Sequence, residues 1–192
     1  MSHPAVPSVA IAIGLMALCP NAGAQTAPTA PPKGRNAATT RSGAAGGIRW
    51  TIPSRWTDGP ATAMRVATYD VPASKGAGPG ECPVFFFGPG QGGSVEANVE
   101  RWAKQFEGTP KAVRSTRTVA GLGVTIVELE GTYLSPGGAM MTSQGKRPGY
   151  RLRGAIVEAP QGNVFFKLTG PAATVAASGA EFEALVTSIR RE

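Results

Sequence analysis

Histidine occurs once in this sequence, at His3, and cysteine twice, at Cys19 and Cys82. If the N-terminal end is removed on export, the remaining chain has no imidazole and a single thiol. That would exclude His-based acid–base catalysis, His-ligated metal centres and any internal disulfide. Acid is scarce as well: 12 Asp and Glu against 19 Lys and Arg leave a formal charge of +7. No apolar run reaches the ~20 residues that a membrane-spanning helix needs. Glycine and proline, by contrast, are plentiful, at 26 and 17 of 192 residues.

The uncharged run Val9–Cys19 is followed by Pro20 and by Ala22-Gly23-Ala24. An apolar stretch of that length before a small-residue site is the layout of a secretory signal peptide. Residues 1–24 are therefore expected to be a cleaved leader, although its first eight residues carry no Lys or Arg. Cys19 would suit lipid attachment only with a small residue before it, and Leu18 is not small. The expected location is periplasmic or secreted, with no transmembrane segment left after cleavage. Residues 25–47 contain no Ile, Leu, Val, Met, Phe, Trp or Tyr. Such a segment cannot offset its ordering entropy by burial, so a disordered linker is expected there. Its Lys33, Arg35 and Arg41 allow either a plain spacer or a tether to anionic envelope polymers.

From Ile48 onward the period of apolar residues changes. Alternation over 48–52, over 62–70 (with Met64, Val66 and Thr68 on one face), and an apolar run over 83–88 predict three strands. Val95, Val99, Trp102, Ala103 and Phe106 then form one helical stripe, with Ser94 as its N-cap and Gly108-Thr109-Pro110 as its stop. Strand patterns resume over 112–119, 124–133, 150–159 and 163–169. A last helix begins near Pro171, with the stripe Val175, Gly179, Phe182, Val186 and Ile189. Ser178 and Glu181 have capping-box spacing, so that helix is expected to break and restart. Residues 48–192 thus predict a single α+β domain: one antiparallel sheet of six to seven strands with two helices packed on it. Counting up and down the sheet places loops 71–81 and 134–149 at one end. The 53–60 link, the glycine loop 88–93 and the turns 120–123 and 160–162 fall at the other.

Three stretches carry a resemblance: W-T-I-P-x-x-W from Trp50, F-F-F-G-P-G-Q-G-G-S with N-x-x-R-W-x-x-Q-F from Phe85 to Phe106, and V-F-F-K-L-T-G-P with F-x-x-L-V-x-S-I from Val164 to Ile189. Together they resemble an uncharacterised family of exported bacterial proteins over nearly all of 48–192. The order of elements is more remotely similar to the fold of the photosystem extrinsic PsbP subunit. The resemblance implies a fold and no activity, catalytic residue or cofactor.

Several constellations could carry chemistry. The loop Gly88–Ser94 leads from a strand into a helix N-terminus, so Gly90, Gly92, Gly93 and Ser94 could cradle an anion. Equally, its glycines could serve positive φ and close packing. Asn98, Arg101 and Gln105 form one polar row beside the Trp102 stripe, able to orient that loop, bind a partner or simply face solvent. Glu128 and Glu130 share a strand face and could do acid–base work, but Arg151 and Arg153 have the same spacing, which fits cross-strand ion pairs. Cys82 lacks a base and reads as a small buried hydrophobe. In the long loop, Met140 and Met141 stand beside Lys146 and Arg147, a combination suited to a partner or an anionic surface. Scattered cations and the lack of an RNA-reading aromatic motif argue against nucleic acid. The expectation is a non-enzymatic exported binding or accessory domain, without metal or cofactor, that contacts an envelope protein or anionic polymer. The alternative is a His-free hydrolase-like enzyme built on Glu128/Glu130 or the glycine loop.

Overall fold

Gly46 and Gly47, at φ +64° and +79°, close a tight hairpin between β1 (Ser42–Ala45) and β2 (Ile48–Thr51). A two-residue turn with positive φ at both positions matches the twist of paired strands, which is why a Gly-Gly pair sits there. This corrects the expected linker 25–47 at its C-terminal end. Ser42–Ala45 has no large apolar side chain, yet it orders by backbone pairing, and a Cβ at Gly43 would lie 2.5 Å from the Trp50 ring. The computed structural model describes residues 40–60, 62–135 and 145–192. The chain divides into Met1–Ala37 and Ala38–Glu192. The leader, the rest of the linker, and Met140 and Met141 lie outside the described residues.

The remaining strands are β3 (Thr57–Asp58), β4 (Ala67–Val71), β5 (Gly80–Phe86), β6 (Val113–Val119), β7 (Leu122–Leu134), β8 (Lys146–Ala159), β9 (Gly162–Pro171) and β10 (Arg190–Arg191). Seven of them form one antiparallel sheet in the order β3-β4-β5-β9-β8-β7-β6. A second, small sheet has the order β1-β2-β10. The helices are α1 (Val95–Ala103), α2 (Ala172–Ala177) and α3 (Gly179–Thr187). The α+β reading stands, with the small sheet as an addition.

Alternation along each strand sends side chains to opposite faces of the large sheet. One face carries Cys82, Val84, Val124, Ile126, Val164, Phe166 and Leu168, packed with Ile48, Trp50, Val175, Phe182 and Val186 from the small sheet, α2 and α3. Trp50 and Phe166 meet edge to face at 5.0 Å, and the Trp50 indole donates to Tyr69 Oη at 2.9 Å. The other face carries Val127, Leu129, Leu152, Ile156 and Phe165 under Val99, Trp102 and Phe106 of α1 and its exit turn.

Several local expectations are corrected. Residues 62–66 are not strand, and Met64 and Val66 are exposed. The strand β4 instead buries Tyr69 and Val71 on one face and Thr68 on the other. The final helix does break at Ser178, as its spacing suggests, but no capping box forms. Ser178 makes no side-chain cap, and its φ of −90° with ψ of 6° is not the extended cap conformation. Glu181 turns instead to Arg55 Nε at 2.7 Å and Trp56 Nε1 at 3.2 Å. The loop expected at 134–149 is shorter, because β7 runs to Leu134 and β8 starts at Lys146. The register places 72–79 and the Leu134/Lys146 ends at one end of the sheet, with 87–93, 120–121 and 160–161 at the other. Of the 53–60 link only the part after Asp58 reaches that second end, because β3 runs antiparallel to β4.

Candidate functional site

A helix is ~10 Å across and strands are ~4.8 Å apart, so one helix covers about two strands. The nine residues of α1 therefore cannot cover a face seven strands wide. Ser94 begins the helix, its Oγ accepting from Ala97 N at 3.2 Å. Trp102 anchors it over β8, where Gly154 leaves room: any Cβ there would overlap the Trp102 ring. With the helix held at that position, the β4–β5 margin of the same face stays open. Phe87 is 36% exposed there, and Phe85 is half-buried.

Between α1 and that margin runs a cleft of about 870 Å³, whose lining includes Arg65, Glu81, Tyr133, Arg147, Tyr150 and Lys167. A smaller cavity of about 160 Å³ adjoins it, walled by Phe85, Phe87, Trp102 and Phe165 together with Asn98 and Arg101. Phe85, Gln105 and Lys167 line both. Pro79 and Gly80 come to the cleft from one long connection, Ser135 and Arg147 from the other. Residues at the described ends of both connections thus line one cleft.

Arg147 reaches the rim through a bulge. Gly131 pairs with Tyr150 and Tyr133 with Arg147, so Pro148 and Gly149 on β8 face the single residue Thr132 on β7. Gly149 has φ +67°, a conformation that favours glycine. Strict alternation would put Arg147 on the face opposite Tyr150. The extra residue returns it to the same face, with its guanidinium 5.7 Å from the Tyr150 ring centre.

Lys167 lies on the floor where the two cavities join. It is 7% exposed, and its Nζ donates to Gln105 Oε1 at 2.6 Å and to Tyr133 Oη at 3.0 Å. Both acceptors are neutral. Among the described residues no carboxylate bonds the amine. Burial lowers the ammonium's pKa to about 7, with Glu81 pulling it up and Arg65 and Arg101 pushing it further down. Burial likewise pushes the Tyr133 phenol up to about 12. Arg65 pairs with Glu81, and among the described residues Lys167, Arg101 and Arg147 have no ion-paired carboxylate in the two cavities.

The residues singled out from sequence divide into two groups. Asn98 and Arg101 line the small cavity, Arg147 the large one, and Gln105 both. Gly90, Gly92, Gly93, Ser94 and Lys146 line neither. Asn98 Nδ2 donates to Gly92 O and Ser94 O, each at 2.8 Å, and Arg101 bonds Asn98 Oδ1. Asn98 thus orders the glycine loop. A Cβ at Gly92 would lie 2.9 Å from Phe87 and 3.0 Å from Phe165, so close packing explains that glycine. Lys146 pairs with Glu107. Glu128 faces Arg153 and Glu130 faces Arg151, with Arg151 Nε donating to Glu130 at 2.9 Å. Both pairs lie on the face opposite the cleft, since Val127 and Leu129 between and beside them point to α1. Cys82 is fully buried on that opposite face, where burial raises its thiol pKa. Lys167 and Tyr133 escaped sequence reading. A lysine between Phe166 and Leu168 in a central strand was the available signal.

Among the described residues no helix is long and apolar enough to cross a membrane, and no group of three or more His, Cys, Asp or Glu could hold a metal ion. The fold is of the PsbP type, a mostly antiparallel sheet with few helices. Cyanobacterial PsbP (CyanoP) from Synechocystis sp. PCC 6803 is similar to it at a TM-score of 0.53 and 9% identity, over 86% of this chain and 100% of that one. The protein of unknown function PA94 from Pseudomonas aeruginosa is similar at a TM-score of 0.46 and 14% identity, over 78% of this chain and 94% of that one. No protein-family model matches the sequence, and no curated protein does.

Proposed function

We propose that this chain is an exported, non-enzymatic binding protein that takes an anionic partner in the cleft beside α1. One observation carries the reading: a cavity of about 870 Å³ in which the described ends of both long connections meet a buried lysine that has no carboxylate partner among the described residues. Among the described residues that line the two cavities, the cations Arg65, Arg101, Arg147 and Lys167 outnumber the acids Asp70 and Glu81. The formal charge of +7 adds a long-range attraction for anions in an envelope. The leader-like segment 1–24 supports the exported location. A pull-down from an envelope fraction tests the proposal, comparing the native chain with the double variant Arg65→Glu/Arg147→Glu. The native chain should retain an anionic component that the double variant loses while keeping its melting temperature. Retention by both would move the contact to the glycine-loop end of the sheet.

A further inference from the structure

Three alternate residues of β9 face the α1 side: Phe165, Lys167 and Thr169. Positions two apart on a strand are ~6.8 Å apart. Phe165 walls the small cavity, Lys167 joins the two, and Thr169 lines the large one. The floor of the cleft therefore changes from aromatic to cationic to hydroxylic along one line. The small cavity has four aromatic walls and no acidic lining residue. Its 160 Å³ matches a single six-membered ring, since an apolar cavity of about 150 Å³ accepts one benzene. Beside it, the Lys167 ammonium spends two N–H groups on Gln105 and Tyr133 and has a third to give. The buried Thr169 Oγ1 has no hydrogen-bond partner among the described residues. Lys167 beside the aromatic slot and Thr169 in the adjoining cleft are thus two buried polar groups with hydrogen-bond capacity to give.

We infer that the cleft binds a small aryl carboxylate, its ring between Phe87, Trp102 and Phe165 and its carboxylate between Lys167 Nζ and Thr169 Oγ1. Of the cations lining the two cavities Lys167 is the buried one, whereas Arg101 and Arg147 are exposed and screened by water. One buried cation balances one negative charge, which favours a monocarboxylate over a dianionic phosphate. This inference deepens the proposed anion site and rests on it. It also carries a proton signature. The groups that face Lys167 are Tyr133 and Gln105, which bond it, and Glu81, Arg65 and Arg101, which act at longer range. In the free protein its ammonium titrates near 7. A bound carboxylate needs the ammonium, so binding above that pH takes up a proton, and affinity falls about tenfold per pH unit.

Calorimetry on the full chain with 3-phenylpropionate, at pH 6 and pH 8 in buffers of different ionisation enthalpy, tests the inference. Saturable 1:1 binding is expected, with buffer-dependent heat at pH 8 that reports about one proton taken up. Benzyl alcohol and benzylamine should not compete. Lys167→Met should weaken binding about 100-fold, and Phe87→Ala, at a half-open site, should weaken it several-fold without unfolding the chain. Absence of saturable 3-phenylpropionate binding would overturn the inference, as would equal binding of benzyl alcohol or undiminished binding by both variants. If that ligand fails while the Arg65→Glu/Arg147→Glu variant still loses its envelope partner, the aryl carboxylate is wrong and the anion site stands. If neither depends on the cleft, both fall.

Discussion

The two faces of the seven-stranded sheet are built from the same strands and differ in what covers them. One is covered by α2, α3 and the small sheet, and under that cover its inward residues are apolar down to Cys82, while the Glu128/Arg153 and Glu130/Arg151 pairs occupy its more exposed part. The other is half closed by α1, and where the helix stops the inward positions become Glu81, Lys167 and Thr169. Residues of adjacent parity on β9 show the difference most directly. Phe166 and Leu168 are fully buried in a dry core, while Lys167 between them supports a cleft. Covering decides what a strand position can tolerate: a closed face demands shape, and an open one permits charge.

That contrast can be broken most sharply at its aromatics. Phe166→Ala should cost about 3–5 kcal/mol in urea unfolding, as truncations of fully buried rings do, whereas Phe87→Ala on the open face should cost under about 1 kcal/mol. Equal losses would mean the open face is packed after all. Gly154→Ala comes next. The added Cβ would overlap Trp102, so α1 must shift, at about 1–3 kcal/mol. The same substitution should widen or close the cleft, read as a change in Phe87 solvent exposure.

Lys167 gives the contrast a pH axis. Folding lowers its pKa from 10.5 to about 7, so between those values the unfolded chain holds a proton that the folded chain has released. Stability should therefore rise with pH from about 7 to about 10, by at most about 1.4 kcal/mol per unit, with the full penalty present below about 7. Above about pH 10 the Tyr133 phenol, held up to about 12 in the folded state, acts in the opposite sense. Thermal melts of Lys167→Met across pH 6–10 should lack the rise and start higher. A native chain with flat melts over that range would deny the buried amine its cost. Cys82→Ala, on the closed face, should cost about 1–2 kcal/mol with no pH dependence added below 8. The smallest effect belongs to Glu130→Gln. Its pair with Arg151 is largely exposed, and its loss should lower the free energy of urea unfolding by no more than about 0.5 kcal/mol.

Much of this could be read from short-range pattern. The stripe Val99, Trp102 and Phe106 and the cap Ser94 place the start and the buried face of α1 correctly, although the helix ends at Ala103, before the expected stop at Gly108-Thr109-Pro110. The Glu128/Arg153 and Glu130/Arg151 pairs follow from equal spacing on neighbouring strands. Met64 and Val66 misled, because alternation continues past the point where the chain leaves the sheet. Ser42–Ala45 was hidden because its order comes from backbone pairing and not from apolar side chains. Arg147 needed the Pro148-Gly149 bulge, and a register shift leaves no trace in simple periodicity. Asn98, Arg101 and Gln105 were visible as a row, but their opposite wall was not.

The sequence by itself determined which side of α1 and of most strands from Ile48 onward is apolar, where α1 begins and where the last helix breaks. Those are properties of residues a few positions apart, set by the periods 2 and 3.6 and by capping chemistry. Only the tertiary structure decided which half of the sheet α1 leaves uncovered. It also decided that Lys167 meets Gln105 and Tyr133, which are 62 and 34 residues away in the chain. Burial is a sum over elements distant in sequence, so a lysine's surroundings, and with them its charge and its use, exist only once those elements have packed.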